Sequence, residues 1–370
     1  MLKLAWRNLV YQPIRLVVSV GGVALAVLLI LLMDGIFAGS EEHTIIYIRN
    51  QPAPLWLMQS GVENMHMSSS ILPSDAIERV RSVRGVQDAV GVLYANVGIE
   101  IDGTIIFSYI FGVAPNAPLG GPWSLVEGSP NPAANEIVID RIIAERYGMS
   151  IGDSLQVMGY DLRIAGLTEG TFGMATSITF ANKTAMALLM GVSPESASYI
   201  LIQPEQDADL ETLIADIQTA IPDANLLTKA DFIASDQEMI RQMGADIVQM
   251  MNTISYVIGM LVIGITIYTA TLERTQEYGV LKAIGAKPSQ LLRLVLSQSL
   301  VSAALGYIVG VLAAYGLAII VVRFVPEMPI LLQPTRWILQ APILGFVAIV
   351  AALLPMAHIV QIDPLVAFKA

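Results

Sequence analysis

Four long apolar runs, each without Asp, Glu, Lys or Arg, alternate with polar segments along the chain. They are 18 to 29 residues long and lie at Leu16–Met33, Ile247–Leu272, Leu294–Val322 and Trp337–Ile362. A helix that crosses the hydrocarbon layer needs about 20 apolar residues, because each adds about 1.5 Å of rise. Backbone polar groups in lipid must be satisfied within the segment, which favours helices. We therefore predict transmembrane helices at residues 16–38, 246–272, 294–322 and 337–362.

The segment between the first two predicted helices, residues 39–245, has the pattern of a folded α+β domain. Two strand patterns flank the Asp102-Gly103 dipeptide, which is typical of a hairpin turn. A helical pattern begins after Ser74, the predicted N-cap, and ends at Gly85. The Pro- and Gly-rich stretch from Asn116 predicts an inserted small β subdomain at about residues 116–193.

The overall composition supports a membrane protein. Hydrophobic residues make up 55% of the 370 residues and charged residues only 14%, and the mean hydropathy is +0.64. These values are too apolar for an ordinary soluble domain. The first apolar run also has the basic flank of a signal peptide, but it is longer than the usual roughly 7–15 residues. We therefore predict an uncleaved helix.

Basic residues orient the predicted helices, because cytoplasmic loops collect Lys and Arg. Outside the domain 39–245, eight of them lie in the N-terminal arm 1–15, in the segment 273–293 and in the C-terminus 363–370, which are therefore predicted to be cytoplasmic, and two, Arg323 and Arg336, run against this orientation. The domain 39–245 and the short loop 323–336 then lie outside. The predicted fold class is an α-helical membrane protein with four transmembrane helices and a large extracytoplasmic α+β domain between helices 1 and 2. We expect it in the cell inner (plasma) membrane, in contact with the lipid bilayer.

The acidic residues are concentrated in the predicted outer domain. Residues 40–245 contain 25 acidic and 10 basic residues, a net charge of −15, and the rest of the chain has a net charge of +4. No strongly basic region favours nucleic acid as a partner. Cysteine is absent, so thiol chemistry is excluded and no disulfide supports the outer domain.

We find no candidate reaction centre in the sequence. The three histidines, His43, His66 and His358, lack metal-ligand spacing, and there is no GxxxxGK[ST] phosphate loop. Asp34 and Asp246 lie at the ends of predicted transmembrane helices, where solvation at the interface explains them better than a transport route does. We therefore predict a non-catalytic chain that binds no metal or cofactor directly.

Small residues recur every four positions in the third predicted transmembrane helix. We call Ser302, Gly306, Gly310 and Ala314 the small-residue stripe; Ala318 continues the spacing. Such a stripe lies on one helix face, where another helix can approach closely. That helix belongs either to the same chain or to a second copy, and the sequence leaves both open.

The segment that joins the second and third predicted helices has a charge pattern of its own. Glu273 and Glu277 lie early and Lys282 lies late, which suits the dipole of a short helix. Gly285 fits the end of that helix, and Pro288 fits the first position of the next helix.

The apolar residues of this short helix, Val280, Leu281 and Ile284, are predicted to form one stripe. Such a stripe is consistent with docking in a groove of another protein or with lipid contact. A plain linker is the third interpretation, and the pattern alone does not exclude it.

The sequence ERTQEYGVLKAIGA, residues 273–286, closely resembles a pattern of FtsX-like ABC permeases, E-R-x-x-E-[IYF]-G-[IV]-L-[KR]-A-[IL]-G-A. The N-terminal AWRNLVYQPIRL and the C-terminal QIDPLVAFKA also resemble the ends of that family. The chain departs from the family at Lys287-Pro288, where a Ser-type cap is common, and at Val366, where an acidic or amide residue is usual.

The resemblance implies a permease subunit whose coupling helix docks on a separate ABC ATPase dimer, which binds ATP and Mg. It also implies a second permease chain, either an identical copy or a sister permease. Polar contacts with the ATPase would come from Glu273, Arg274 and Glu277. Val280, Leu281 and Ile284 would fill its groove, Gly279 and Gly285 would permit close approach, and Lys282 belongs to the same helix.

Two functions follow from the resemblance. The first is export or release of a hydrophobic or amphipathic substrate, with a periplasmic adaptor and an outer-membrane channel as further partners. The alternative is a transmembrane signalling transmitter that activates an extracytoplasmic cell-wall hydrolase. The size of the outer domain favours export.

Overall fold

The computed structural model describes residues 13–350, apart from residues 102, 174–175, 274, 326–327, 336, 340, 344 and 348. The chain divides into two compact units. We call residues 40–244 with 326–329 the mixed unit, and the remaining residues the helical unit. His358 and the end of the fourth predicted transmembrane helix lie outside the described residues.

The helices and strands are numbered in chain order. The helices are α1 (Pro13–Thr44), α2 (Ile46–Asn50), α3 (Ala76–Arg81), α4 (Arg141–Arg146), α5 (Lys183–Met190), α6 (Leu210–Ala220), α7 (Lys229–Leu272), α8 (Thr275–Ala283) and α9 (Pro288–Phe324). The strands are β1 (Leu55–Gln59), β2 (Val86–Ile101), β3 (Thr104–Val113), β4 (Leu125–Gly128), β5 (Glu136–Asp140), β6 (Ser154–Val157), β7 (Tyr160–Thr168), β8 (Ser177–Asn182), β9 (Tyr199–Pro204) and β10 (Ala224–Thr228).

Two helices among the described residues are long and apolar enough to cross a membrane, Leu16–Thr44 and Ser289–Phe324. They contain the first and third predicted transmembrane helices. The second predicted helix lies within α7, which has 44 residues. The fourth overlaps a shorter apolar helix at Trp337–Val347. The arrangement of four transmembrane helices therefore stays a prediction.

The core of the helical unit lies where α1 packs on α9. Val23, Val27 and Ile30 of α1 and Leu294 and Val295 of α9 are buried together. Large apolar side chains on the other faces of α9 are exposed. Because lipid tails are as apolar as leucine, such exposed faces are stable in a bilayer.

The mixed unit is built on a ten-stranded sheet among the residues that the structure describes. The strand order is β10-β1-β9-β2-β3-β8-β5-β7-β4, and β6 pairs with β2 and β7. The β3–β8 and β5–β7 pairs are parallel and the other pairs are antiparallel. Strand β2 is 16 residues long. Its first half pairs with β9 and its second half pairs with β3 and β6, so it joins two parts of the sheet.

Six strands close into a small barrel because β6 completes the ring β2-β3-β8-β5-β7-β6. Alternate side chains of these strands fill its interior, including Ile99, Ile110, Ile137 and Ile164. The barrel includes β2 and β3, which precede residue 116. The β unit is therefore larger than the predicted insertion at 116–193, because its closure depends on pairings between strands far apart in sequence.

The other part of the sheet, β10-β1-β9 and the first half of β2, has a core on each face. Helices α3 and α6 cover one face, where Leu57, Ile200 and Leu213 are buried. On the other face Trp56 of β1 contacts Phe232 of α7, with ring centroids 5.4 Å apart. Successive side chains of β1 thus alternate between the two cores, as strand geometry requires.

The predicted hairpin is confirmed by the register of β2 and β3, in which Ile101 pairs with Thr104. Gly103 has a φ of +74°, a left-handed conformation that suits glycine. The predicted cap of the preceding helix is wrong by one residue. Helix α3 begins after Asp75 rather than after Ser74, and it ends at Arg81, before Gly85.

Candidate functional site: the segment between α7 and α9

The segment from Glu273 to Lys287, which we call the bridge segment, contains α8 and the turn into α9. The turn after α8 has a regular C-terminal cap. Gly285 has a φ of +95°, its N–H donates to the Lys282 carbonyl at 3.1 Å, and the Ala286 N–H donates to the Leu281 carbonyl at 2.9 Å. This pair of bonds is the Schellman motif, which needs a residue that tolerates positive φ. Gly285 therefore ends the helix, as its place in the sequence predicts.

The start of α9 fixes the far side of this turn. Pro288 lies in the first turn of α9, where its missing N–H removes no helical hydrogen bond. The Lys287 N–H donates to Gln290 Oε1 at 2.9 Å, which satisfies an amide at the helix terminus. The turn between α8 and α9 is therefore fixed on both sides, by the cap that ends α8 and by the cap that begins α9.

The apolar residues of α8 lie on two different faces. Val280 is 45% exposed and Ile284, just after the helix, is 76% exposed. Leu281 is half-buried and packs against the core of the helical unit. The three residues therefore do not form one exposed stripe. The exposed apolar pair is Val280 and Ile284, which are separated by one helical turn.

The polar members of the predicted site are described only in part. Glu273 is exposed, its backbone N–H donates to the Thr269 carbonyl at 3.0 Å, and Lys282 is half-buried. Gly279 is buried. Arg274 and the side chain of Glu277 lie outside the described residues.

The small-residue stripe faces α1 of the same chain. A Cβ atom on Gly306 would lie 2.5 Å from Val23 Cβ, and one on Gly310 would lie 2.7 Å from Val27 Cβ and 2.7 Å from the Ala24 carbonyl oxygen. Contacts this short require glycine. Ser302 and Ala314 are buried on the same stripe. In the structure the neighbour of the stripe is therefore α1, one of the two alternatives that the sequence leaves open.

The histidines and the isolated acids do not converge on one centre. His43 lies against Gly173, and His66 contacts Asp236 at 3.2 Å. Among the described residues no group of three or more His, Cys, Asp or Glu side chains could hold a metal ion. The side chain of Asp246 lies outside the described residues. Sequence reasoning missed Asp236, because its contact with His66 joins residues 170 positions apart.

Comparisons with known families identify the chain. The family model described as FtsX-like permease C-terminal matches residues 250–364, and the one described as MacB-like periplasmic core domain matches residues 16–220. The second match covers more than half of the chain. The chain belongs to the FtsX-like ABC transporter permeases. The MacB-like match also fits the predicted extracytoplasmic α+β domain, and the FtsX-like match includes the bridge segment.

Relatives of this FtsX-like permease are distant in sequence. It is 24% identical to the putative hemin transport system permease protein HrtB of Staphylococcus haemolyticus over 369 residues, 98% of each chain. It is 22% identical to the pyoverdine export ATP-binding/permease protein PvdT of Pseudomonas savastanoi, over 85% of this chain and 51% of that protein. A crystal structure of the periplasmic region of MacB from Actinobacillus actinomycetemcomitans matches 53% of this chain and 94% of that one, with 8% identity and a TM-score of 0.38.

Proposed function

We propose that this permease couples ATP hydrolysis by a separate ATPase subunit to movement of its extracytoplasmic domain. The exposed pair Val280 and Ile284 on the bridge segment is the observation that carries the proposal. An apolar pair on a short capped helix, with Leu281 holding that helix on the core of the helical unit, suits the helix-in-groove mode of docking.

The proposed assembly contains two permease chains and an ATPase dimer. Membership of the ABC permease family implies an ATPase partner. ATP and Mg would bind to that partner, since this chain contains no GxxxxGK[ST] phosphate loop. The second permease chain is either an identical copy or a sister. The N- and C-termini and the bridge segment face the cytoplasm in this proposal, as the distribution of Lys and Arg indicates.

We propose that the transported substrate is hydrophobic or amphipathic and moves out of the cell. The name of one relative, a pyoverdine export protein, supports this direction. The name of another, a putative hemin transport system permease, supports an amphipathic substrate. A periplasmic adaptor and an outer-membrane channel complete the proposed export system. The acidic mixed unit is the surface that an adaptor would contact, and capture of a cell-wall hydrolase there instead would favour the signalling alternative.

The docking role is tested by placing a charge on the exposed pair. Ile284→Arg is expected to abolish copurification with the ATPase, because an unpaired cation in an apolar groove is poorly tolerated. Ile284→Leu is the matched control and should bind normally. ATP hydrolysis by the reconstituted complex is measured for both variants. Equal coupling in the Arg and Leu variants would remove the bridge segment from the docking site.

The same experiment avoids Leu281 for a structural reason. Because Leu281 packs against the core of the helical unit, a charge there would disturb folding as well as docking. Ile284 is 76% exposed, so its replacement should leave the permease folded. A thermal unfolding curve of the purified variant checks this point.

A further inference from the structure

Helix α7 is attached to the mixed unit by its first turns. Phe232 is fully buried and its ring lies 5.4 Å from Trp56 and 5.7 Å from Tyr199. Asp236 lies one turn later on the same face and is also fully buried. The helix continues to Leu272, through the second predicted transmembrane segment. A contact that fixes these first turns therefore also fixes the start of that longer helix.

Asp236 accepts hydrogen bonds in an otherwise apolar and aromatic environment. The Met65 N–H donates to Asp236 Oδ1 at 2.8 Å, and His66 Nδ1 lies 3.2 Å from Oδ2. The His66 ring is itself buried edge-on against Tyr109, with centroids 4.6 Å apart. Burying a carboxylate is strongly unfavourable unless such partners satisfy it. The buried Asp236 carboxylate is therefore stable only where Met65 and His66 can reach it.

The partners of Asp236 belong to a segment that the mixed unit holds in place. Met65 is buried and its carbonyl accepts a bond of 3.4 Å from the Tyr199 hydroxyl of β9. The Val62 carbonyl accepts a bond of 2.8 Å from Asn225 Nδ2 of β10. The segment 62–66 thus presents a fixed donor to the helix.

Two further polar contacts flank Asp236 along α7. Lys229 Nζ donates to the carbonyls of Arg49 and Gln51, both at 2.7 Å. Arg241 pairs with Glu41, near the end of α1, at 3.0 Å. Both cations lie nearer the surface than Asp236, and long flexible side chains can follow a small shift of the helix. The short, buried Asp236 side chain cannot follow such a shift, so its hydrogen bonds would break.

Apolar packing alone would define the position of α7 less strictly. A shift of one residue moves a helix by about 1.5 Å and rotates it by about 100°. Phe232 could repack after a small shift, since cores tolerate rearranged apolar side chains. The shift would carry Asp236 away from Met65 and His66, and the Met65 N–H would lose its acceptor.

We propose that Asp236 is a positioning residue that fixes the rotation and height of α7 on the mixed unit through Met65 and His66. Movement of α7 is then transmitted to the domain without slippage. This inference rests on the proposed function, because that function requires the domain to follow the transmembrane helices. It adds the specific contact through which the domain follows α7.

The test measures the position of α7 directly in the full-length chain in lipid nanodiscs. Because the chain has no cysteine, Met67→Cys and Glu238→Cys introduce two sites for spin labels. Both residues are accessible, Met67 on the segment next to His66 and Glu238 on α7. The distance between the labels is recorded without the ATPase, and again with the ATPase and ATP.

Asp236→Leu is the decisive variant and Asp140→Leu is its matched control. Asp140 is equally buried in the mixed unit, and it accepts bonds from the Ile142 and Thr171 N–H groups at 2.8 Å. Both variants leave buried N–H groups without an acceptor, so both should lose stability. These bonds of Asp140 join α4 and the loop after β7, however, so only Asp236→Leu should release α7.

The expected result is one distance in the parent chain and in Asp140→Leu, with and without ATP. Asp236→Leu should add a second population displaced by about 1.5–5 Å, the range from one residue to one turn of slippage. Asp236→Asn keeps an oxygen that can accept from the Met65 N–H and should restore most of the parent distance.

Two results overturn the positioning role. The first is a single parent distance in Asp236→Leu in both states, and the second is an equal displacement in Asp140→Leu. A parent complex that neither binds an ATPase nor responds to ATP overturns the proposed function instead. The measurement without the ATPase separates these two failures.

Discussion

The helical unit and the mixed unit define their packing in different ways. In the helical unit the outer faces are as apolar as the core, and contact between α1 and α9 is marked by small residues, with Gly306 and Gly310 against Val23 and Val27. In the mixed unit the core residues alternate along strands, and buried polar groups such as Asp140 and Asp236 are each paired. In the mixed unit, burial therefore identifies the residues that define the packing. In the helical unit, small size identifies them.

The largest effect expected from this contrast comes from truncating a buried ring in the mixed unit. Trp56→Ala should destabilise the full-length chain by about 3–5 kcal/mol, because it removes a fully buried side chain and leaves a cavity. Ile319→Ala on α9 changes a side chain that is 67% exposed. This substitution should have little effect on stability in lipid. Thermal unfolding in detergent or nanodiscs measures both, and similar losses for the two variants would contradict the contrast.

Packing in the helical unit is tested by the opposite change, in which a small residue of the small-residue stripe is replaced by a large one. Gly310→Ile should destabilise the packing of α1 on α9 by about 3 kcal/mol, because the Ala24 carbonyl oxygen lies 2.7 Å from the new Cβ and the backbone must move. A Cβ atom on Gly316 of the same helix would meet no described residue within 4 Å, so Gly316→Ile is the matched control. The two unfolding curves should differ clearly. If they coincide, the stripe does not hold α1.

A buried lysine makes the stability of the mixed unit depend on pH. Burial lowers the pKa of Lys183 to about 8, and Glu195 opposes this only in part. The ordinary pKa is about 10.4. Between these values the unfolded chain binds more protons than the folded chain, so stability rises with pH. Below about pH 8 both states are protonated and the full cost of burying the charge remains.

Lys183→Met should therefore stabilise the chain at pH 7 by roughly 1–2 kcal/mol, after allowance for solvent near the ammonium group. The gain should fall as the pH rises toward about 10.4, where the folded parent chain has already lost its proton. Unfolding curves of parent and variant across this range measure the difference. A gain that stays constant with pH would show that the added apolar packing, and not the charge, is responsible.

The parts of this fold that could be predicted from sequence depend on neighbouring residues. Gly285 and Pro288 indicate the ends of α8 and α9 because caps are local, and Asp102-Gly103 indicates the hairpin for the same reason. The closure of the barrel by β6 could not be predicted, since its pairing with β2 joins Val157 to Ile99. The separation of Leu281 from Val280 and Ile284 also depends on packing against the core of the helical unit, which the local pattern does not contain.

The smallest expected effect concerns a helix cap in the mixed unit. Asn182 Oδ1 accepts from the N–H groups of Thr184 at 3.0 Å and Ala185 at 3.3 Å, at the start of α5. Asn182→Ala should destabilise the chain by about 1 kcal/mol, because these amides lose their acceptor. Asn182→Asp keeps the acceptor and should retain most of the stability, although it loses the bond from Nδ2 to the Pro132 carbonyl. Thermal unfolding of both variants measures the difference, and equal losses would assign the effect to that bond rather than to the cap.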